Sequence, residues 1–181
     1  MKIIGLTASP RAAGNTVTLV TKMLEDAASK GAETKQMDLA KLDIKPCKGC
    51  NYCKSHEDCV QKDDFAKVIS EMKSADGIIL GSPVYFFDIT AQEKTFVDRL
   101  YSCVDAQFKS RIPSGKKIAF IYSQNTPNRA AFEQNLAKYD QVAGMLGFQN
   151  VGKFVSVGDV KANPVEIEGA VALEKKLFDT L

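Results

Sequence analysis

The stretch that decides the fold is K-I-I-G-L-T-A-S-P-R-A-A-G-N-T, Lys2 to Thr16, with the helical run that follows it to residue 30. Residues 2–7 are a short, largely apolar run, and residues 8–15 are small, polar or turn-forming. From residue 16 onward Leu19, Val20, Met23, Leu24 and Ala27 recur on one helical face, and Gly31 stands where a C-cap glycine belongs. The order is strand, loop, helix.

The same rhythm continues outward. Residues 32–39 read as a second, weaker strand. Residues 41–62 have neither helical nor strand periodicity and form a long loop. Asp63 is placed to cap a helix carrying Phe65, Val68, Ile69 and Met72, which ends near Asp76 and Gly77. A buried strand over 78–81 leads through residues 82–88 into a helix over 90–104, with Phe96, Val97, Leu100 and Tyr101 as its expected buried face. Strand 117–122, polar loop 123–128, helix 129–146, strand 151–157 and a helix beyond Pro164 complete the chain. Strands alternating with helices imply a parallel sheet covered on both faces by right-handed crossovers. The expectation is an α/β, flavodoxin-like three-layer sandwich: a five-stranded parallel sheet of order 2-1-3-4-5, forming one domain over residues 1–181. Ligands of such folds bind beyond the carboxyl ends of the strands, at the switch point between strands 1 and 3.

Composition narrows the function. Hydrophobic residues at 45% and charged residues at 25% suit a soluble protein, and a net charge of +2 gives no electrostatic case for nucleic acid. No apolar run is long enough for a secretory leader or a membrane span, so a cytoplasmic location is expected. Thiols stay reduced there, and clustered cysteines then point to metal or redox chemistry rather than to disulfides.

The loop after strand 1 opens a helix, whose free N–H groups and positive dipole end favour an anion. Ser9, Asn15 and Thr16 add side-chain donors, Arg11 adds a charge, and Gly14 is expected to let the backbone turn close to the ligand. Neither a Walker loop nor G-x-G-x-x-G is present, so a monophosphate fits better than a triphosphate or a dinucleotide.

Four of the five cysteines, Cys47, Cys50, Cys53 and Cys59, form C-x2-C-x2-C-x5-C in the long loop. Thiolates at that spacing can converge from one curled loop, as around a 4Fe-4S cluster. Lys45, Lys48 and Lys54 would offset its negative charge, while Gly49 and Asn51 can take the tight conformations the loop needs. Zinc is a rival, although four-cysteine zinc sites are usually two C-x2-C hairpins with a longer spacer. Free thiols without metal are another. Cys103 reads as structural and His56 as exposed rather than as a ligand. No hydrolytic constellation is present, and no side chain is assigned a catalytic role.

With these motifs in view, the chain resembles the flavodoxin-like NAD(P)H-dependent FMN reductase superfamily and, within it, the iron-sulfur flavoproteins. The resemblance rests on A-S-P-R-A-A-G-N-T from Ala8 to Thr16, where the family usually has glycine at the first position. It also rests on Pro83-Val84-Tyr85 with Ala91-Gln92-Glu93-Lys94 and Asp98-Arg99, and on the cysteine motif. The resemblance implies that Ser9, Arg11, Asn15 and Thr16 hold the FMN phosphate. It further implies that Pro83, Val84, Tyr85 and Phe86 flank the ribityl chain and ring, and that Ser123, Gln124 and Asn125 line the ring's other side. A homodimer or homotetramer that exchanges electrons with ferredoxin or NAD(P)H is implied as well. The expected function is therefore an FMN-dependent oxidoreductase coupling flavin to a 4Fe-4S cluster. The alternatives are a cluster-free NAD(P)H-dependent reductase of FMN, quinones or nitroaromatics, and a non-catalytic flavodoxin-like module with a zinc loop.

Overall fold

In the computed structural model, which describes residues 1–181, the strands are β1 (Lys2–Thr7), β2 (Glu33–Asp38), β3 (Gly77–Pro83), β4 (Lys117–Gln124) and β5 (Gln149–Val157). The helices are α1 (Asn15–Ser29), α2 (Tyr52–Ser55), α3 (Phe65–Ser74), α4 (Ala91–Arg99), α5 (Glu133–Met145) and α6 (Pro164–Asp179). All strands join one parallel sheet of order β2-β1-β3-β4-β5. Strand alternation sorts the apolar residues between two cores. Ile4, Leu6, Ile78, Leu80, Ile118 and Phe120 pack with side chains of α3, α4 and α5, whereas Ile3, Ile79, Ala119 and Ile121 pack with those of α1 and α6. β1, β3 and β4 are buried along nearly their whole length and mostly apolar because both their faces are covered, whereas the edge strand β2 keeps Glu33, Gln36 and other polar residues.

Several expected boundaries move. α4 stops at Arg99 and tightens into a 3-10 turn over Leu100–Cys103, which turns the Tyr101 ring out to 40% exposure instead of into the core. β4 runs on through Ser123 and Gln124, so both residues belong to the strand rather than to the polar loop, and residues 129–132 precede α5. A short helix, α2, interrupts the cysteine loop. The N-cap of α3 is Asp64 rather than the expected Asp63, whose Oδ1 accepts from Phe65 N at 3.2 Å and whose two oxygens both accept from Arg99.

Candidate functional site

The loops after β1, β3, β4 and β5 open at one end of the sheet and enclose a cavity of ≈ 570 Å³. Ser9, Arg11, Asn15, Thr16, Pro83, Val84, Tyr85, Ser123, Gln124 and Asn125 all line it. At its floor the first intrahelical bond of α1 runs from Thr18 N to Gly14 O at 3.0 Å, so the N–H groups of Asn15, Thr16 and Val17 precede the helical ladder. The loop is held by Gly14 N donating to Arg11 O at 3.0 Å and Arg11 N donating to Ser9 Oγ at 3.2 Å. Gly14 has φ −75°, a value open to any residue, so its expected conformational role does not apply. The need for glycine is spatial: a Cβ there would lie 3.1 Å from Ser9 Oγ and 3.2 Å from both Arg11 Cβ and Arg11 O. Ala8, in the usual glycine position, is buried, with its N–H donating to Gly81 O and its carbonyl accepting from Thr90 Oγ1, both at 2.9 Å.

All three expected side-chain hydroxyl and amide donors are already engaged, Ser9 within its own loop, where its Oγ donates to Arg11 O at 3.3 Å. Asn15 Nδ2 donates to Gly158 O at 2.5 Å, and Thr16 Oγ1 pairs with Ser123 Oγ at 2.7 Å. They bind the loops to one another, which leaves the backbone N–H groups and the exposed Arg11 for an anion. Phe86 departs from expectation. It is 95% exposed and does not line the cavity, because Tyr85 and Asp88 close a two-residue turn with Phe86 at φ 47° and Phe87 at φ 75°. Positive φ is strained for such bulky residues. The turn is held by Asp88, which accepts from Tyr139 OH at 2.8 Å and pairs with Lys138, and by Asn135 Nδ2 donating to Phe87 O at 2.7 Å.

Sequence reasoning missed Gly158, Asp159 and Lys161, which complete the cavity from the loop after β5. The strand-end rule that selected the loops after strands 1, 3 and 4 applies equally to strand 5 and was the signal available. Gln124 Nε2 is spent on Thr126 O and Asn128 O at 2.8 and 2.7 Å, while its buried Oε1 has no protein partner. A monophosphate group with a polar ring system suits this set: free N–H groups and cations at one end, an unpaired amide oxygen and the Tyr85 ring along the walls. Below the site, Glu93 is wholly buried. The adjacent Ser82 Oγ accepts from Thr90 N and donates to Pro83 O, so neither Glu93 oxygen has a hydrogen-bond partner, and burial, with Asp88 nearby, pushes its carboxyl up to about 8.

The four motif cysteines line a second, narrower concavity, which shares no residue with the first. None forms a disulfide. Gly49 and Asn51 adopt the left-handed conformations expected of them, at φ 64° and 56°. The neck of the loop is closed by Asp64 N to Asp43 O at 3.0 Å, Lys45 N to Asp63 Oδ2 at 3.1 Å and the buried ion pair between Asp63 and Arg99. Of the three lysines, Lys48 lines the concavity, whereas Lys45 and Lys54 are engaged elsewhere. Lys54 Nζ caps the 3-10 turn, donating to Tyr101 O and Val104 O at 2.9 and 2.8 Å, and lies 3.5 Å from the Tyr101 ring centroid. Lys45 pairs with Asp43. Arg99 stands beside Cys59, and Arg111 donates to the carbonyls of Cys53 and Ser102. His56 stacks on Tyr52, with centroids 3.6 Å apart, outside the concavity. Cys103 is buried, and burial pushes its thiol up to about 11.

A cleft at the ends of parallel strands, floored by a helix N-terminus and built from the loops after β1, β3, β4 and β5, lies where folds of the flavodoxin-like class bind their ligands. Residues 1–161 match the NADPH-dependent FMN reductase family. Over its whole length the chain is 35% identical to an iron-sulfur flavoprotein of Methanocaldococcus jannaschii, 97% of which is covered. It is also 30% identical, again over its whole length, to the iron-sulfur flavoprotein of Methanosarcina thermophila, 95% of which is covered. The chain belongs to the NADPH-dependent FMN reductase family and, within it, to the iron-sulfur flavoproteins. It is an FMN-dependent oxidoreductase. Solved structures support the fold: an NAD(P)H:quinone oxidoreductase from Methanothermobacter marburgensis superposes with a TM-score of 0.76 at 14% identity, covering 98% of this chain and 96% of that one. The NADH:FMN oxidoreductase EMOB gives 0.69 at 18%, covering 99% and 87%. No helix is long and apolar enough to cross a membrane.

Proposed function

We propose that this oxidoreductase passes electrons between FMN and a 4Fe-4S cluster, and so mediates between one-electron and two-electron partners. The observation that carries the reading is that Cys47, Cys50, Cys53 and Cys59, unpaired, line one concavity on the flavoprotein fold. The donor set suits a cluster better than zinc. Mononuclear zinc draws its sulfurs to about 2.3 Å from a single ion, whereas a cubane takes each thiolate at a different iron.

In this reading the N–H groups at the start of α1, with Arg11, hold the phosphate, while Ser9, Asn15 and Thr16 keep the surrounding loops in place. Pro83, Val84 and Tyr85 flank the ribityl chain and ring, Ser123, Gln124 and Asn125 border the other side, and Lys161 adds a second cation. FMN supplies hydride and single-electron chemistry when bound. The protein's part is to orient it, and no side chain need serve as acid or base. The partners are a small redox protein such as ferredoxin, or NAD(P)H, and the assembly is a homodimer or homotetramer.

Anaerobic purification followed by iron, acid-labile sulfide and FMN analysis tests the reading. The expected result is four irons, four sulfides and one FMN per chain, about as the four-cysteine motif demands. FMN with neither iron nor sulfide would establish the cluster-free NAD(P)H-dependent reductase instead. Stoichiometric zinc without flavin would sink both.

A further inference from the structure

Arg99 forms part of the wall of the cysteine concavity and is only 1% exposed. Its terminal nitrogens are engaged: Nη1 donates to Lys45 O at 2.8 Å and Asp63 Oδ2 at 2.7 Å, and Nη2 donates to Asp63 Oδ1 at 3.1 Å. The Phe65 ring covers the guanidinium, 4.5 Å from its carbon. Nε alone is left, sealed from water and without an aligned acceptor, although the Cys59 thiol lies within hydrogen-bonding reach of the guanidinium. Buried donors in that condition are rare and each calls for an explanation. The bidentate pair with Asp63 fixes the plane of the guanidinium, so Nε cannot swing away to find solvent. Cys59 stands beside this same guanidinium.

We propose that Arg99 Nε–H donates to a sulfur of the cluster held by the four cysteines, at or next to Cys59, and thereby raises the cluster's reduction potential. The inference rests on the cluster reading given above. The cluster gains one electron on reduction and becomes more negative, so a fixed donor at sulfur stabilises the reduced form more than the oxidised one. No proton moves and the N–H bond stays intact. Arg99 is a positioning and tuning residue rather than a catalytic one, and Asp63 acts through it by holding the guanidinium in register.

The test is an anaerobic spectroelectrochemical titration in which cluster and flavin are followed in the same sample. Arg99→Lys keeps the charge but has no donor at the Nε position. Asp63→Asn with Arg99→Gln replaces the ion pair by two neutral polar groups and leaves no buried charge unpaired, which protects the fold where the lysine variant fails. In variants with full iron and FMN content, the reduced-to-oxidised cluster ratio at a fixed potential should fall at least tenfold, about 59 mV for one electron, while the flavin couple stays in place. A cluster potential that does not move in an iron-replete variant overturns the proposal. So does an equal shift of cluster and flavin, which would mark a general structural effect. A second measurement needs no change at Arg99: 15N-arginine-labelled protein carrying Arg111→Lys should show a nitrogen coupling to the reduced cluster in pulsed EPR, and its absence argues against the hydrogen bond. Wild-type protein that takes up no stoichiometric iron and sulfide overturns the cluster reading and this proposal with it.

Discussion

Glu93 shows how one residue can set the pH response of the protein. Its carboxyl is held up to about 8 by burial, against an ordinary value of 4.5, so between these pH values the folded chain keeps a proton that the unfolded chain has released. Stability therefore falls as pH rises from 4.5 to about 8 on account of this group and levels off above that. Glu93→Gln should flatten this slope, and urea unfolding at a series of pH values would reveal it; an unchanged slope would mean the carboxyl is not protonated in the folded state. Arg11 behaves in the opposite way, because it is exposed and its removal disturbs no packing. Arg11→Ala should cost about 1.5–3 kcal/mol of phosphate binding, a roughly 10- to 150-fold weaker FMN dissociation constant, with the apoprotein's Tm unchanged. Isothermal titration with FMN measures the first and a thermal melt the second. Arg11 was legible in S-P-R-A-A-G-N-T. The committed side chains of Asn15 and Thr16 were not, since their partners Gly158 and Ser123 lie far along the chain.

Helix α1 carries the cradle, and its position depends on how closely it approaches the sheet. A Cβ at Gly81 would lie 2.8 Å from Thr16 Cγ2 and 2.9 Å from Val20 Cγ2. Gly81→Ala should push the first turns of α1 outward, costing about 1–3 kcal/mol of stability by overpacking and weakening FMN binding together. Denaturant midpoints and FMN titration of the same variant would show both effects, whereas a stability loss with intact FMN affinity would separate the helix position from the cradle. The periodicity of α1 and its start were readable because its apolar face is regular. The end of α4 was not. Its helical pattern runs past Arg99, but Lys54, from a loop distant in sequence, takes the carbonyls of Tyr101 and Val104 and stabilises the 3-10 turn in place of a further helical turn.

Across the whole molecule the two sites are separate concavities on one scaffold. FMN should stabilise the fold by mass action, about 2.7 kcal/mol at a hundredfold excess over its dissociation constant. In hydrogen exchange it should slow residues 9–18, 83–85, 123–125 and 158–161 together and leave 47–59 unchanged; protection confined to the first loop would contradict a cavity built from four. The layer order, the sheet topology, the loop that opens α1 and the cysteine quartet were legible in the amino-acid sequence, because each is written in short-range periodicity or spacing that the chain carries locally. The packing of the elements turns Phe86 away from the cavity, brings the loop after β5 to close it, and buries Arg99 beside Cys59. These outcomes depend on which distant groups win a limited number of buried hydrogen bonds, and that competition is settled only when the elements pack.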